Sequence, residues 1–341
     1  MLSEAYLSKI DMKKIVLCLY VCLLLSCKNR VSESSEDLSF FGCASSPELD
    51  VMVGSNGAIW IAESSSLVWE KVKTEGKNTL LDVVYSGLKQ GTSPQDEHSQ
   101  SLESLPESNA QSSKFYAVGH KGTVLASSDG VNWKMKNIPS EAHLFAVATR
   151  KKGQSQKIVA VGHKKVMYTS DDDGLIWQKK NEVANKRTSL YDVAFGNGVW
   201  LSVGDYGATL ALNDETGNVS ETVVQVGFAK ALKGVAFAET LKRWVVVGHE
   251  GAIFVSDNAG ISWQEVESGS KEDLLKIAFN GRRFVVAGTH GIILTSKDGK
   301  LWKKVQINNN GTFRGLASIG ERWLFITIDG KKEIIDESKM D

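Results

Sequence analysis

The chain has 341 residues, 42% hydrophobic and 23% charged, with 40 basic and 40 acidic side chains and a formal net charge of zero. Such a chain can bury a large core, which excludes a disordered or fibrous protein. A zero net charge supplies no field to draw nucleic acid or an acidic membrane surface, so no nucleic-acid partner is expected.

Residues 1–26 read as a signal peptide. Lys13 and Lys14 are followed by IVLCLYVCLLLSC, residues 15–27, an apolar run too short for a permanent membrane span. Residues 1–11 carry two acids where a signal has none, which points to Met12 as the translation start. LLSC, residues 24–27, resembles a bacterial lipobox, and the resemblance implies that Cys27 is acylated and heads the mature chain. Residues 27–39 are then a polar tether, anchored through lipid alone at about 0.8 kcal/mol per buried methylene. Lys28 after the cysteine matches lipoproteins sent on to the outer membrane, so the expected location is the cell envelope. Cys18 and Cys22 leave with the signal, and Cys43 is the one thiol remaining. No disulfide framework is expected, and Cys43 in FFGCAS reads as a small buried hydrophobe.

From residue 40 onward the chain repeats. VMVG, YAVG, VAVG, LSVG, VVVG and VVAG end at Gly54, Gly119, Gly162, Gly204, Gly248 and Gly288, with spacings of 65, 43, 42, 44 and 40 residues. A seventh, weaker copy puts Thr327 in the glycine's place. The long interval holds a polar low-complexity stretch, residues 86–113, read as a disordered loop inserted between two strands of the second unit. Each unit runs as the fourth does: LYDVAFGNG, VWLSVGDYG, ATLALND, then a less regular segment. Short apolar runs closed by glycine, asparagine or aspartate, with no helical period, predict four strands per unit. A four-stranded sheet of this size cannot cover both of its faces alone, so its neighbours must stack about an axis. The fold class expected is all-β: a seven-bladed β-propeller of four-stranded antiparallel blades over residues 40–335, with 336–341 a C-terminal tail. The seventh unit lacks a clear fourth strand; either the N-terminal tether completes it or it stays short.

After the third strand of several units comes a second recurrence. SSDGVNW carries Ser127, Asp129, Gly130 and Trp133; SDDDGLIW carries Ser170, Asp172, Gly174 and Trp177. SDNAGISW carries Ser256, Asn258, Gly260 and Trp263, and SKDGKLW carries Ser296, Asp298, Gly299 and Trp302. These resemble the Asp-box, or BNR, repeat. The acid or amide is expected to accept backbone N–H groups within the turn, the glycine to take a conformation closed to other residues, and the tryptophan to fold between blades. Asp171, Asp172 and Asp173 are therefore read as structural or solvated; the further oxygen ligands that a calcium loop spaces at fixed offsets about its glycine are not there, and no metal or other cofactor is expected.

Asp-box propellers include sialidases, which resemble one another in an RIP motif, an arginine triad and a tyrosine nucleophile. RIP is absent here, and Arg150, Arg187, Arg243, Arg282, Arg283, Arg314 and Arg322 mostly fall in or before turns. A divergent sialidase-like glycan-active enzyme is thus the alternative, and a non-enzymatic scaffold the leading expectation. Over residues 40–335 the chain is similar to the photosystem II stability and assembly factor family, whose pattern VGxxGxIxxSxDGxxW is followed at residues 119–133 and 288–302. The resemblance implies the fold and leaves the partner open.

The turns after the repeat glycines form the candidate binding face: His120, Lys121, His163, Lys164, Asp205, Tyr206, His249, Glu250 and His290. Equivalent positions on separate blades are spread around a ring, so the histidines are read as turn residues rather than zinc ligands. The expected partner is an unidentified protein or glycan bound by a monomeric, lipid-anchored propeller.

Overall fold

The computed structural model describes residues 38–340 except 65, 67, 75, 88–114, 137, 154, 182–186 and 226–229. The signal peptide, Cys27, the tether up to residue 37 and most of the insertion lie outside the described residues.

Seven antiparallel sheets, each a simple meander, follow one another along the chain. Their innermost strands are Phe40–Ser45, Leu80–Tyr85, Leu144–Lys152, Leu190–Gly196, Leu232–Ala238, Leu274–Phe279 and Phe313–Ile319. Each packs against the next, and the seventh packs against the first, closing a ring. The chain is a seven-bladed β-propeller. Among the described residues the first six blades have four strands and the seventh has three, ending with Lys332–Asp336. The strand Phe40–Ser45 belongs to blade one, and the tether before it, which the sequence offers as one way to complete blade seven, lies outside the described residues. The residues beyond the last strand do not hang free. Glu337–Lys339 make one helical turn, Met340 is buried in the blade-seven core, and Glu337 pairs with Arg283 at 2.8 Å.

Burial peaks at the second strands and falls toward the rim, while the inner strands are partly open to the channel. The second strands are buried along nearly their whole length, as in Arg243–Gly248 and Phe284–Gly288, because neighbouring blades cover both faces. Hence these segments read as continuous valine runs rather than as alternation. Fourth strands such as Val219–Val223 are mostly exposed. The position four residues before the repeat glycine holds Phe115, Ile158, Trp200, Trp244, Phe284 and Trp323, all at most 3% exposed. A buried indole covers about 150–250 Å², roughly 4–6 kcal/mol as an upper bound at 25 cal/mol per Å². These second-strand tryptophans wedge the blades. The box tryptophans share that work: Trp177 is buried and Trp133, Trp263 and Trp302 are half-buried, each packed against a core cluster drawn from two neighbouring blades.

The repeat glycines are required by contact, not by dihedral angle. Their φ values, such as −170° at Gly119 and −166° at Gly248, are extended backbone open to any residue. A Cβ at Gly54, Gly119, Gly162, Gly204, Gly248 or Gly288 would instead stand 1.9–2.3 Å from the carbonyl oxygen of the residue preceding the inner strand. The next residue donates its N–H to that same oxygen: Ser55 to Ser39 at 2.8 Å, His120 to Thr79 at 2.9 Å, Asp205 to Ser189 at 3.0 Å. In six blades one glycine therefore lets the crossover strand enter flush against the second strand; in blade seven Thr327 holds that place, and Ile328 still donates to Thr312 at 2.9 Å. Just inside that contact every inner strand carries a β-bulge, between the leading Leu or Phe and the residue two further on.

Ring closure joins an apolar seam, Phe40, Cys43 and Met52 against Leu324 and Ile326, to a buried ionic one. Blade one has Asp50 where the other six blades have an apolar residue, and Asp50 is fully buried. Arg322 and Lys332 of blade seven reach it at 3.0 and 2.9 Å, and the Ser45 hydroxyl donates to it at 2.7 Å. Removing the carboxylate strands two cations in the core. Asp50→Ala should therefore lose about 3–5 kcal/mol in chemical denaturation, the usual cost of breaking one side of a buried pair; a loss under about 1 kcal/mol would show that closure does not depend on these ions.

Candidate functional site

The glycine turns all open on one end of the ring. In each, the first residue is half-buried against the crossover and the second projects outward: His120, His163, Asp205 and His249 are of the first kind, Lys121, Lys164, Tyr206 and Glu250 of the second. Blade six shifts by one, so that His290 is the exposed residue. The projecting residues are held at positive φ: Lys121 at 52°, Lys164 at 57°, Tyr206 at 57°, Glu250 at 54° and His290 at 49°. A left-handed conformation costs a residue with a Cβ about 1–2 kcal/mol, and glycine would avoid that cost.

Several of these side chains have local partners. Asp205 accepts the Ser189 N–H and the Tyr191 hydroxyl, both at 2.8 Å, and Glu250 pairs with Lys230 at 2.8 Å. His290 pairs with Glu272 at 2.6 Å, which holds the Glu272 carboxyl below the usual range. His163 lies 3.3 Å from the Ser189 hydroxyl.

The ring brings in residues that the turn pattern omitted. His143, from the crossover into blade three, stands 4.4 Å from His120 and 6.1 Å from His163, ring centre to ring centre. Its Nδ1 accepts the Lys121 N–H at 3.3 Å. Phe145 follows, 6.5 Å from His163 and stacked on Tyr191 at 5.6 Å. An aromatic belt therefore crosses blades two to four. Among the described residues no three His, Cys, Asp or Glu side chains are arranged to hold a metal ion.

Phe145 and Tyr191 sit at the bulge, one residue into the inner strand, and the same position holds Lys233 in blade five and Arg314 in blade seven. The Lys233 ammonium rests 3.4 Å above the Tyr191 ring centre. Burial lowers the pKa of Lys233, with Arg314 adding to the shift and Asp205 and Asp273 opposing it. Burial also lowers that of Arg314, against the pull of Asp273. The Arg314 Nε is cut off from solvent and makes no hydrogen bond. Aligned on their leading residue, the inner strands read FFG, LLD, LFA, LYD, LKG, LLK and FRG. The variable middle letter was the available signal for these residues.

Arg187 lies in the crossover into blade four, whereas Arg150, Arg243, Arg282, Arg283 and Arg322 lie at the opposite end of the blades and join elements there. Arg150 meets Asp214, Arg243 meets Asp257 at 2.6 Å, and Arg282 meets Glu321. They form no converging triad.

The Asp-boxes lie at that opposite end too. Asp129 accepts the N–H groups of Val131 and Asn132 at 2.9 and 2.7 Å, and Asp298 those of Lys300 and Leu301 at 2.8 and 2.9 Å. Asp172 holds Leu175 and Ile176 at 3.1 and 2.9 Å, and Asn258 holds Ser262 at 3.0 Å. The serines Ser127, Ser170, Ser256 and Ser296 bond both the box acid or amide and the glycine N–H. The Trp133, Trp177, Trp263 and Trp302 indoles each donate to the carbonyl of their own glycine, Gly130, Gly174, Gly260 or Gly299. Burial works to raise the Asp172 pKa, yet the Ile176 and Leu175 N–H groups and the Ser170 hydroxyl hold it below the usual range. The three adjacent acids therefore have separate tasks: Asp171 pairs with Lys152 at 3.3 Å, Asp172 holds the box, and Asp173 accepts the Gln156 N–H at 3.1 Å.

Residues 214–323, from the end of blade four into blade seven, match the family model described as Photosynthesis system II assembly factor YCF48. The solved YCF48 from Cyanidioschyzon merolae superposes with a TM-score of 0.63 at 13% identity, covering 90% of this chain and 98% of that one. A YCF48 bound to D1 peptide gives 0.63 at 13% identity, covering 88% and 93%. The computationally designed Ika8 protein gives 0.59 at 13%, covering 89% and 85%. The chain is a BNR propeller similar to the photosystem II assembly factors. No curated protein sequence matches it.

The imidazole contact is open to a direct check. Burial, followed by the neighbouring His143, lowers the His120 pKa, so its neutral form is favoured in the folded state. In an NMR titration His143→Asn should move the His120 pKa upward; an unchanged midpoint would mean that the two rings do not interact.

Proposed function

We propose that the protein is a non-enzymatic binding scaffold of the bacterial envelope, lipid-anchored at Cys27, whose glycine-turn face receives a carboxylate-bearing segment of a partner protein. The observation that carries this reading is the pair Lys233 and Arg314. Both are desolvated at the channel mouth, and neither forms an ion pair with an acid among the described residues. Such cations lower the stability of the empty protein and gain most from an arriving anion. The belt from His120 to Tyr191 supplies flat, stiff contact area beside them.

Two further observations favour the same face. Five successive blades hold Lys121, Lys164, Tyr206, Glu250 and His290 in a conformation that glycine would adopt without strain, which is accounted for if the side chains are wanted in solvent. A similar propeller, YCF48, has been solved with a D1 peptide bound, which favours a protein partner over a glycan. Asp205, the carboxylate that a glycan-active reading would enlist, already accepts two hydrogen bonds.

A photo-crosslinking residue at Tyr206, in intact cells, should trap a protein partner, and one at Ile261 on the opposite end should not. Lys233→Glu with Arg314→Glu should reduce the Tyr206 adduct at least tenfold, and an undiminished adduct would move the site elsewhere. Cys27→Ser should shift the protein from the membrane to the soluble fraction; a protein that stays in the membrane fraction would rule out the lipid anchor.

A further inference from the structure

The channel enclosed by the inner strands widens away from the glycine turns into a cavity of about 850 Å³, lined near its opening by Tyr85, Phe195, Phe279, Asn280 and Arg322. That is ample room for a small organic ligand, for which pockets run to roughly 300–1,000 Å³. Val147, Val193, Val235, Ile277 and Leu316 make its walls largely apolar.

Three charged side chains interrupt those walls. Asp82, Asp192 and Lys276 occupy one repeat position, two residues into the inner strand, on blades two, four and six. The other four blades have Gly42, Ala146, Gly234 and Gly315 there. The carboxylates staple neighbouring strands: Asp82 accepts the Val147 N–H at 3.0 Å, and Asp192 accepts those of Val193 and Val235, both at 2.9 Å. Stapling accounts for the two acids and leaves Lys276 unexplained. Its ammonium stands 3.6 Å from Asp82, too far for a hydrogen bond, and keeps a fifth of its side-chain surface accessible in the channel.

Two carboxylates against one ammonium leave one negative charge without a counterion in an apolar channel. The other ionisable groups nearby do not supply it. The buried Cys43 thiol has its pKa pushed up and stays neutral, Arg322 is engaged by Asp50, and Arg314 lies towards the other mouth. We propose that the cavity is a binding site for an organic monocation, a primary ammonium on an alkyl body, whose charge offsets the uncompensated carboxylate while the body lies against the valine walls.

In the empty protein a proton takes that role. Burial raises the Asp192 pKa to about 7, with Asp82 adding to the rise and Lys276 opposing it. Below that value a bound cation must displace the proton, so affinity rises with pH up to about 7 and levels off above it. At pH 6 only about a tenth of such a group is ionised, against most of it at pH 8.

The ammonium can belong to a free alkylamine or to a lysine side chain of another protein. Calorimetric titration at pH 6 and pH 8 with n-hexylammonium, and separately with the doubly blocked lysine N-acetyl-lysine-methylamide, separates these sources. Binding of at least one, about tenfold tighter at pH 8, supports the site and identifies its ligand. Lys276→Met removes the competing cation and should tighten binding, whereas Asp192→Asn should weaken it and abolish the pH dependence. If Asp192→Asn does not fold, the pH ratio and Lys276→Met decide the matter by themselves. Failure of both compounds to bind at pH 8, equal affinity at the two pH values, or weaker binding by Lys276→Met would overturn the proposal. None of these outcomes depends on the glycine-turn face.

Discussion

A carbonyl oxygen about 2 Å from where a side chain would begin is the contact from which the rest of this propeller follows. It recurs at six repeat glycines and sets how closely each crossover approaches the second strand of its own blade. With the crossover seated there, the leading Leu or Phe is driven into the core and the bulge falls one residue later. That bulge turns Phe145, Tyr191, Lys233 and Arg314 toward the mouth of the ring and leaves Asp82, Asp192 and Lys276 in the channel. The candidate sites are thus by-products of one packing rule repeated around an axis. What varies between blades is the chemistry set at fixed geometric stations.

Two ends of one channel carry opposite problems. At the glycine-turn mouth the unpaired groups are cations, Lys233 and Arg314; within the cavity the excess is a carboxylate. Each is a charge removed from water without full compensation, and a protein tolerates few of these. Elsewhere buried charges meet direct partners across blade boundaries, as Asp50 meets Arg322 and Lys332 of blade seven and Arg283 meets Glu337 of the C-terminal turn.

Much of the fold was legible in the sequence because the physics that makes it is periodic. Glycines at regular spacing, valine runs buried on both faces, and box motifs ending in tryptophan each recur often enough to predict seven blades, and the candidate turn residues do share one face. What the sequence left hidden was either non-repeating or non-local. His143 lies in a crossover 23 residues after His120 and is joined to it only by the packing of adjacent blades. Asp50 was unremarked because nothing local shows that it stands at an apolar station facing blade seven. The box tryptophans do pack between blades, each against a cluster drawn from two neighbours, but nothing in the box pattern shows that fully buried Trp200, Trp244 and Trp323 on the second strands share that work.

The central claim is that the repeat glycines are fixed by contact with the incoming carbonyl. The direct measurement is the unfolding free energy of Gly119→Ala, Gly204→Ala and Gly288→Ala, each compared with Gly76→Ala, where an added methyl meets nothing within 4 Å. The account predicts a loss of about 2–3 kcal/mol for each of the three and a change within about 0.5 kcal/mol for the control. Four variants of equal stability would contradict it.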